Sequence, residues 1–301
     1  FGMTGAMNIS VHMGWTDVLI TTPQQPQLLE AIRKFRPTFA PLVPTMYIGM
    51  LNHPDLKKTD MSCIKGAFSG SAPLPVEVIH EFERLTGAVI VEGFGMTETT
   101  PVVHVNPFGG GVRKVGSVGV PISDTEARIV DLETGLIDLP ANTPGELIVR
   151  GPQVMKGYLH MPDETANTIR NGWCFTGDIA VMDDDGYFFI VDRKKDMIIS
   201  GGFNIYPRDI DEVFYEHPKI QEACSIGIPD PKRGENVKLF VVLKEGETAT
   251  QEELIEYAKT KLATYKLPSE IEFRAELPKS TVGKVLRKEL KAEEMAKRKK
   301  S

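Results

Sequence analysis

The 301 residues are 41% hydrophobic and carry a formal net charge of −6, enough apolar content for one large domain or two smaller ones with cores of their own. The acidic balance argues against a dedicated nucleic-acid binder, which presents a basic face. Cys63, Cys174 and Cys224 stand far apart and the six histidines are as scattered, so neither a disulfide framework nor zinc-ligand spacing is present. No apolar run approaches the roughly 20 residues that span a bilayer as a helix.

The opening "FGMTGAMNISVHMGW" has no initiator Met and no basic leader, and reads as the continuation of a longer chain. The spacing of "QLLEAIRKFR" predicts a helix over 27–36, stopped by Pro37. "LPVEVIHEFERLTG" predicts a second, with Val78, Ile79, Phe82 and Leu85 on one face and Gly87 as the stop. The strand "AVIV" follows directly, and helix alternating with strand is an α/β pattern. From about 112 to 192 the texture changes to short β runs, "EARIVD", "GELIVRG" and "GYFFIVD", divided by turn formers such as Gly135 and "DDDG". After the charged break "RKKD" comes a compact α/β unit. Its strands are "ACSIGI" and "KLFVVLK", and its amphipathic helix is "TQEELIEYAKTKLATYKL", with Thr250 as N-cap, Glu253 completing a capping box and Pro268 as the close. The tail "KAEEMAKRKKS" reads as a solvated helix end.

Four stretches carry candidate chemistry. In "AVIVEGFGMTETT" a strand feeds what reads as a Gly-x-Gly turn, where backbone can approach a ligand because no Cβ intervenes. Phe94 offers a flat face for a base, Thr97 a hydroxyl for phosphate, and Glu98 an oxygen ligand for Mg²⁺. An ordinary strand-to-loop turn with Glu98 in solvent accounts for the same residues equally well. "FSGSAPLP" is a small-residue turn before a helix, and a plain helix start is sufficient for it. In "GWCFTGDIAVMDDDGYFFIVDRKKD", Thr176, Gly177 and Asp178 read as a turn whose carboxylate suits a ribose diol, though aspartate is also a common turn former. "LPKSTVGKVLRKEL" sets Lys284 after Gly283 in a polar loop, able to carry a point charge to an anion; one surface lysine among many is the plainer account. No GxGxxG, GxSxG or GxxxxGK[ST] pattern occurs.

Together, in this order, these stretches resemble the adenylate-forming superfamily of acyl-CoA synthetases, luciferases and peptide-synthetase adenylation domains. "GFGMTETTPVVHVNP", "GELIVRGPQVMKGY", "GWCFTGDIAVMDDDGYFFIVDRKKDMIISGGFNIYP" and "ELPKSTVGKVLRKEL" are most similar to the long-chain fatty-acid–CoA ligases, and the resemblance runs nearly end to end.

The resemblance implies an α/β fold with a β-rich subdomain, truncated in its large domain and followed by a small, mobile α+β domain. Residues 1–192 would be the C-terminal portion of the large AMP-binding domain, α/β to about 111 and β-rich from about 112, and 193–301 the small one. It implies a carboxylate joined to ATP as acyl-adenylate with release of pyrophosphate, then passed to the thiol of coenzyme A, with Mg²⁺ required. Gly70, Ser71 and Ala72 would border the adenine edge; Gly93, Phe94 and Gly95 would lie against its face, with Phe where relatives often have Tyr. Thr97 would contact the α-phosphate, Glu98 bind Mg²⁺, and Asp178 take the ribose hydroxyls with Arg193 nearby. The family has another residue at Cys174, where a reactive thiol and a buried space-filler are the two readings, the second preferred.

Lys284 matches the lysine that bridges carboxylate and adenylate. Attack of a carboxylate on a phosphate brings two anions together, and a cation about 4 Å away contributes roughly 4 kcal/mol at an effective dielectric near 20. Its loss should slow adenylation by about 10²–10³-fold or more. Residues 192–196 would be the hinge, bounded by Asp192 and with Lys195 at the pivot. Rotation would withdraw Lys284 and present Gly201 and Gly202 to coenzyme A, the second glycine leaving room for pantetheine. The Ser/Thr/Gly-rich phosphate loop of the family is not found in these residues, so the chain reads as the C-terminal portion of a synthetase. Fatty acid, ATP and CoA are the implied partners, in the cytoplasm, with a homodimer and peripheral membrane contact left open. Two alternatives stand beside this: a ligase for aryl, bile or medium-chain acids, and a non-catalytic fragment that binds nucleotide or acyl groups.

Overall fold

The computed structural model describes residues 2–22, 24–280 and 284–299. It divides into two compact units, Phe1–Ile190 and Val191–Ser301. Gly283 and the last residues of the basic tail lie outside the described residues.

The first unit opens with a short helix, α1 (Ile9–Met13), and then alternates helix with strand: α2 (Gln25–Phe35), β1 (Phe39–Leu42), α3 (Pro44–Leu51), β2 (Gly66–Ser69), α4 (Val76–Thr86) and β3 (Val89–Gly95). β1, β2 and β3 are parallel, with Leu42 opposite Ser69 and Ser69 opposite Glu92. Leu29, Tyr47, Ile79, Phe82 and Ile90 share one buried core. Helix α4 ends as its sequence dictates. Gly87 adopts φ 71°, and its N–H reaches the Glu83 carbonyl at 2.8 Å. Its buried stripe is not the expected one. Ile79, Phe82 and Thr86 face inward while Leu85 is 44% exposed, and the inward Thr86 hydroxyl is satisfied by donating to the Phe82 carbonyl at 2.7 Å.

β3 then changes partner. Its last residues pair antiparallel with β4 (Val102–Val105), which pairs with β5 (Val120–Pro121). A second sheet follows, in the order β10 (Phe188–Arg193), β9 (Trp173–Met182), β7 (Gly145–Arg150), β6 (Glu126–Val130), with β8 (Ile169–Arg170) beside β9 and α5 (Pro162–Thr168) just before it.

In the second unit the order is β12 (Phe203–Ile205), β11 (Ile198–Ser200), β14 (Gly234–Leu243), β13 (Ile220–Asp230), with β15 (Glu270–Phe273) parallel to β14. β14 is buried on both faces, its one buried charge, Lys238, standing among the carboxylates of Glu270, Glu272 and Glu294. Val237, Leu239 and Val241 enter a core with Ile210 and Phe214 of α6 (Pro207–Tyr215) and Leu254 of α7 (Gln251–Lys259). Phe240 and Val242 enter another with Leu290 of α8 (Arg287–Arg298). That two-sided burial is why "KLFVVLK" does not alternate with polar residues. The Thr250 Oγ1 accepts from the Glu253 N–H at 3.2 Å, as a cap should. The helix it starts is shorter than its sequence suggests. It stops at Lys259, where the Thr260 hydroxyl takes the Tyr257 carbonyl at 2.7 Å, and a separate tight turn covers Thr264–Lys266. Among the described residues no helix is long and apolar enough to cross a membrane.

Candidate functional site

Residues 93–95 are strand, not turn, and this corrects the sequence reading. Gly93 faces Val105, Phe94 faces His104 and Gly95 faces Val102 across the β3–β4 ladder. A Cβ on Gly93 would meet the Phe68 ring at 2.5 Å, and one on Gly95 would lie 1.5 Å from the Pro101 carbonyl oxygen. The protein's own backbone and core fill the space that glycine leaves, so close packing demands these glycines before any ligand does. Phe94 packs against the core of the second sheet, 6.2 Å from the His104 ring, which lies 4.5 Å from Phe188. His104 is fully buried with no hydrogen-bond partner at either ring nitrogen, and burial drives its pKa down to about 3.

After β3 the chain makes one tight turn, Thr97–Thr99. The hydroxyls crowded there have different tasks. Thr99 is buried and structural: its Oγ1 accepts from the Met96 N–H at 2.9 Å and faces the carbonyls of Met96 and Pro101 as a donor. Thr97 is exposed. Glu98 is half-buried, its carbonyl accepting from the Met155 N–H at 2.8 Å and its Oε1 accepting from the Tyr158 hydroxyl at 2.6 Å. That hydrogen bond, ahead of burial, raises the Tyr158 pKa above that of a free phenol. Tyr158 was missed as a site residue in the sequence; it lies inside "GELIVRGPQVMKGY", but its partner is 60 positions away.

Gly70, Ser71 and Ala72 form the loop from β2 to α4, at the carboxyl ends of parallel strands where open α/β sheets place ligands. Ser71 has φ 74°, uncommon for a side-chain-bearing residue.

Asp178 lies within β9, another correction, since a turn was expected there. Between the pairs Glu146–Ile179 and Ile148–Phe175 the register slips, so that residues 176–178 stand opposite Leu147 alone. Gly177 takes φ 69° in this bulge. The Thr176 Oγ1 donates to the Leu147 carbonyl at 2.7 Å and accepts from the Asp178 N–H at 3.0 Å. The bulge therefore re-aims Asp178, which is only 2% exposed. Cys174, four residues earlier, is fully buried in the core, and burial followed by the Glu98 charge pushes its thiol up to about 11. It is an inert space-filler rather than a reactive thiol.

The remaining candidates belong to the second unit or its entrance. Arg193 ends β10. Asp192 is buried; its Oδ1 accepts from the Arg193 N–H at 2.6 Å, and its Oδ2 accepts at 2.7 Å from the Arg208 N–H in the first turn of α6. Lys195 is exposed in the turn that follows. Gly201 and Gly202, at φ 59° and 83°, are the two central residues of the β11–β12 hairpin, whose turn requires a left-handed conformation at both. Nothing lies within 4 Å of a Cβ on Gly202, so the backbone alone explains glycine there. Lys284 is exposed, in a loop closed by the Ser280 N–H on the Lys284 carbonyl at 2.9 Å. Within the first unit, then, the fold joins Glu98 to Tyr158 and sets Phe94 on the core that holds Cys174, while Lys284, Lys195 and the paired glycines share the second unit.

Among the described residues no three His, Cys, Asp or Glu side chains converge as a metal site. Glu98 is a hard oxygen donor with one carboxylate oxygen engaged by Tyr158, which fits a Mg²⁺ carried mainly by phosphates and water, not a protein-caged metal.

The chain belongs to the family of AMP-binding enzymes: the model of that family matches residues 1–159, and that of the AMP-binding enzyme C-terminal domain matches residues 209–284. It is 51% identical over 294 residues to a long-chain-fatty-acid–CoA ligase of Bacillus subtilis (strain 168), covering 98% of this chain and 52% of that protein. The fold is that of the adenylate-forming enzymes. ATP-bound MatB from Rhodopseudomonas palustris matches with a TM-score of 0.91 at 34% identity, and the anthranilate CoA ligase AuaEII in complex with anthranoyl-AMP with 0.89 at 30%, each over 97% of this chain and 57% of the other. The chain thus spans about half the length of the curated relatives it matches.

Proposed function

We propose that this chain is the C-terminal part of a fatty acyl-CoA synthetase that activates a long-chain carboxylic acid with ATP and transfers it to coenzyme A. The observation that carries this reading is the 51% identity along 98% of the chain to a protein named for that activity.

In the first half-reaction a carboxylate oxygen attacks the α-phosphorus of ATP, forming the mixed anhydride and expelling pyrophosphate. Lys284 neutralises the meeting anions, Thr97 contacts the α-phosphate and Asp178 holds the ribose hydroxyls, with Arg193 beside it. Residues 70–72 and 93–95 border the adenine. Mg²⁺, when bound, offsets charge on the phosphates, and Glu98, fixed by Tyr158, would ligate it. In the second half-reaction the CoA sulfur attacks the acyl carbon and AMP leaves. Residues 192–196 turn as the hinge between 1–192 and 193–301, and Gly201 and Gly202 face the incoming pantetheine. The cytoplasm is the proposed location.

Calorimetric titration of the chain with a non-hydrolysable palmitoyl-adenylate mimic tests the site, with Asp178→Ala as the control and circular dichroism to check its fold. Binding that Asp178→Ala weakens is expected; a folded chain with no affinity for the mimic contradicts the assignment. The similarity to an anthranilate ligase favours an aryl acid as the second reading, and preference for a benzoyl-adenylate mimic in the same titration would select it.

A further inference from the structure

We propose that Arg287 is a positioning residue, whose guanidinium locks the 192–196 segment and the loop carrying Lys284 into one fixed relation. This rests on the proposed roles of Lys284 and of the 192–196 hinge. Neither role involves Arg287 itself, and the sequence reading gave it none.

Arg287 is the first residue of α8, three positions after Lys284. Its side chain is mostly enclosed and reaches three separate elements. Nε donates to the Ser225 carbonyl of β13 at 3.0 Å, and one terminal nitrogen donates to Asp211 Oδ2 of α6 at 2.6 Å. The other stands 3.8 Å from Asp192 Oδ1 and 3.6 Å from Asp196 Oδ2. Those two carboxylates flank Lys195 in the chain, and Lys195, Asp196 and Arg287 line a common groove. One cation thus faces the carboxylates at both ends of the proposed hinge.

Each end of this linkage is itself anchored. Asp192 is held by the Arg193 and Arg208 N–H groups, and Asp211 Oδ1 accepts from the Ser225 N–H at 2.6 Å and its hydroxyl at 2.7 Å. On the other side the Leu286 N–H donates to the Pro278 carbonyl at 2.8 Å, and Lys279 pairs with Val285 in an isolated bridge. The base of the Lys284 loop is therefore closed immediately before Arg287, so a shift of α8's first residue passes to Lys284 through three peptide units. Three carboxylates around one cation repel one another once it is withdrawn. Burial pushes Asp211 up to about 6 and raises Asp192, and the Arg287 charge pulls both back down. A rigid planar fork fixes the angles between the carbonyl and the carboxylates it meets, which an ammonium on a flexible stem does not.

Arg287 accordingly holds Lys284 in register with the hinge. A turn about Lys195 parts the guanidinium from one of the two carboxylates that flank it, so the fixed relation belongs to the conformation in which both are engaged.

The test uses Arg287→Lys, which keeps the cation and loses the fork, and Asp196→Asn, which leaves the Arg287–Asp211 pair intact. Palmitoyl-adenylate formation from palmitate and ATP, and thioester formation from preformed palmitoyl-adenylate and CoA, are measured separately. Native-state hydrogen exchange is followed on the same proteins. Expected for Arg287→Lys is a loss of adenylate formation of about 10²-fold, the scale of an ångström's misplacement, with the thioester step within about threefold of wild type. Exchange is expected to quicken in residues 192–196 and 284–290 together. Asp196→Asn should give the same pattern at smaller amplitude. Equal loss in both half-reactions, or faster exchange in α8 with 192–196 unchanged, overturns the proposal. The exchange result needs no turnover. If the wild-type chain catalyses neither half-reaction, coupled exchange alone decides the role of Arg287, and the palmitoyl-adenylate titration decides the activity reading separately.

Discussion

The Tyr158 hydroxyl donates to Glu98 Oε1 across 2.6 Å, joining two residues 60 positions apart. One of the two carboxylate oxygens of Glu98 is thereby spoken for, and the rotamer of the side chain is set before any ligand arrives. A hydrogen bond to a carboxylate stabilises by roughly 1.5–3 kcal/mol where it is shielded from water, and by less at a half-exposed site.

Tyr158→Phe removes that hydrogen bond together with the hydroxyl's interaction with the Thr168 side chain. The variant is expected to melt within a few degrees of wild type. The Mg²⁺ concentration for half-maximal adenylate formation should rise about tenfold, the scale of losing a group that orients a metal ligand. An unchanged Mg²⁺ dependence would show that Tyr158 does not orient the ligand.

His104 gives the first unit an acid-sensitive core. Its folded pKa, about 3, lies below the ordinary imidazole value, so the unfolded chain takes up the proton first. The stability it confers is present above about pH 6.5 and is lost as pH falls toward 3. His104→Leu removes two unpartnered nitrogens and should flatten the pH dependence of first-unit melting between 6.5 and 4. A slope as steep as wild type in differential scanning calorimetry would refute this.

The thiols should be slow to react. Cys174 is pushed up to about 11 and Cys224, also by burial, to about 12, so at pH 8 about one part in 10³ or less of either is thiolate. Peptide mapping after brief iodoacetamide treatment of the native chain is expected to find both unmodified, and full labelling after denaturation. Rapid native labelling of Cys174 would reverse its assignment as a space-filler.

Gly202→Ala separates backbone need from ligand need. A left-handed alanine costs about 1–2 kcal/mol, with no clash inside the second unit. If the glycine serves only its hairpin, the variant loses that much stability and keeps its thioester step. A fall of tenfold or more in that step, measured well below the melting temperature, would assign Gly202 to pantetheine as well.

What the sequence disclosed and what it hid follow one physical line. Gly87 as a helix stop and Thr250 as a cap were legible because each acts on backbone within four residues of itself. The four motif stretches were legible as a family resemblance because their order and wording are distinctive. Local reasoning failed where a distant partner sets the geometry. Residues 93–95 look like a turn until β4 returns beside them, and Asp178 looks like a turn former until β7 imposes a bulge. Helix α7 ends early where a threonine hydroxyl takes a main-chain carbonyl, and the buried stripe of α4 runs through Thr86 and not Leu85. Tyr158 and Arg287 could not be assigned from spacing, since their contacts lie dozens of residues away.

The 1.5 Å approach of a would-be Cβ at Gly95 to the Pro101 oxygen has an evolutionary reading. Any descendant of this protein that lost the proposed nucleotide binding would still be obliged to keep that glycine in order to fold. Its persistence in a sequence is a record of sheet geometry and carries no news of activity. Decay of the proposed reaction would be written first at Glu98 and Tyr158, whose pairing the fold could lose at small cost.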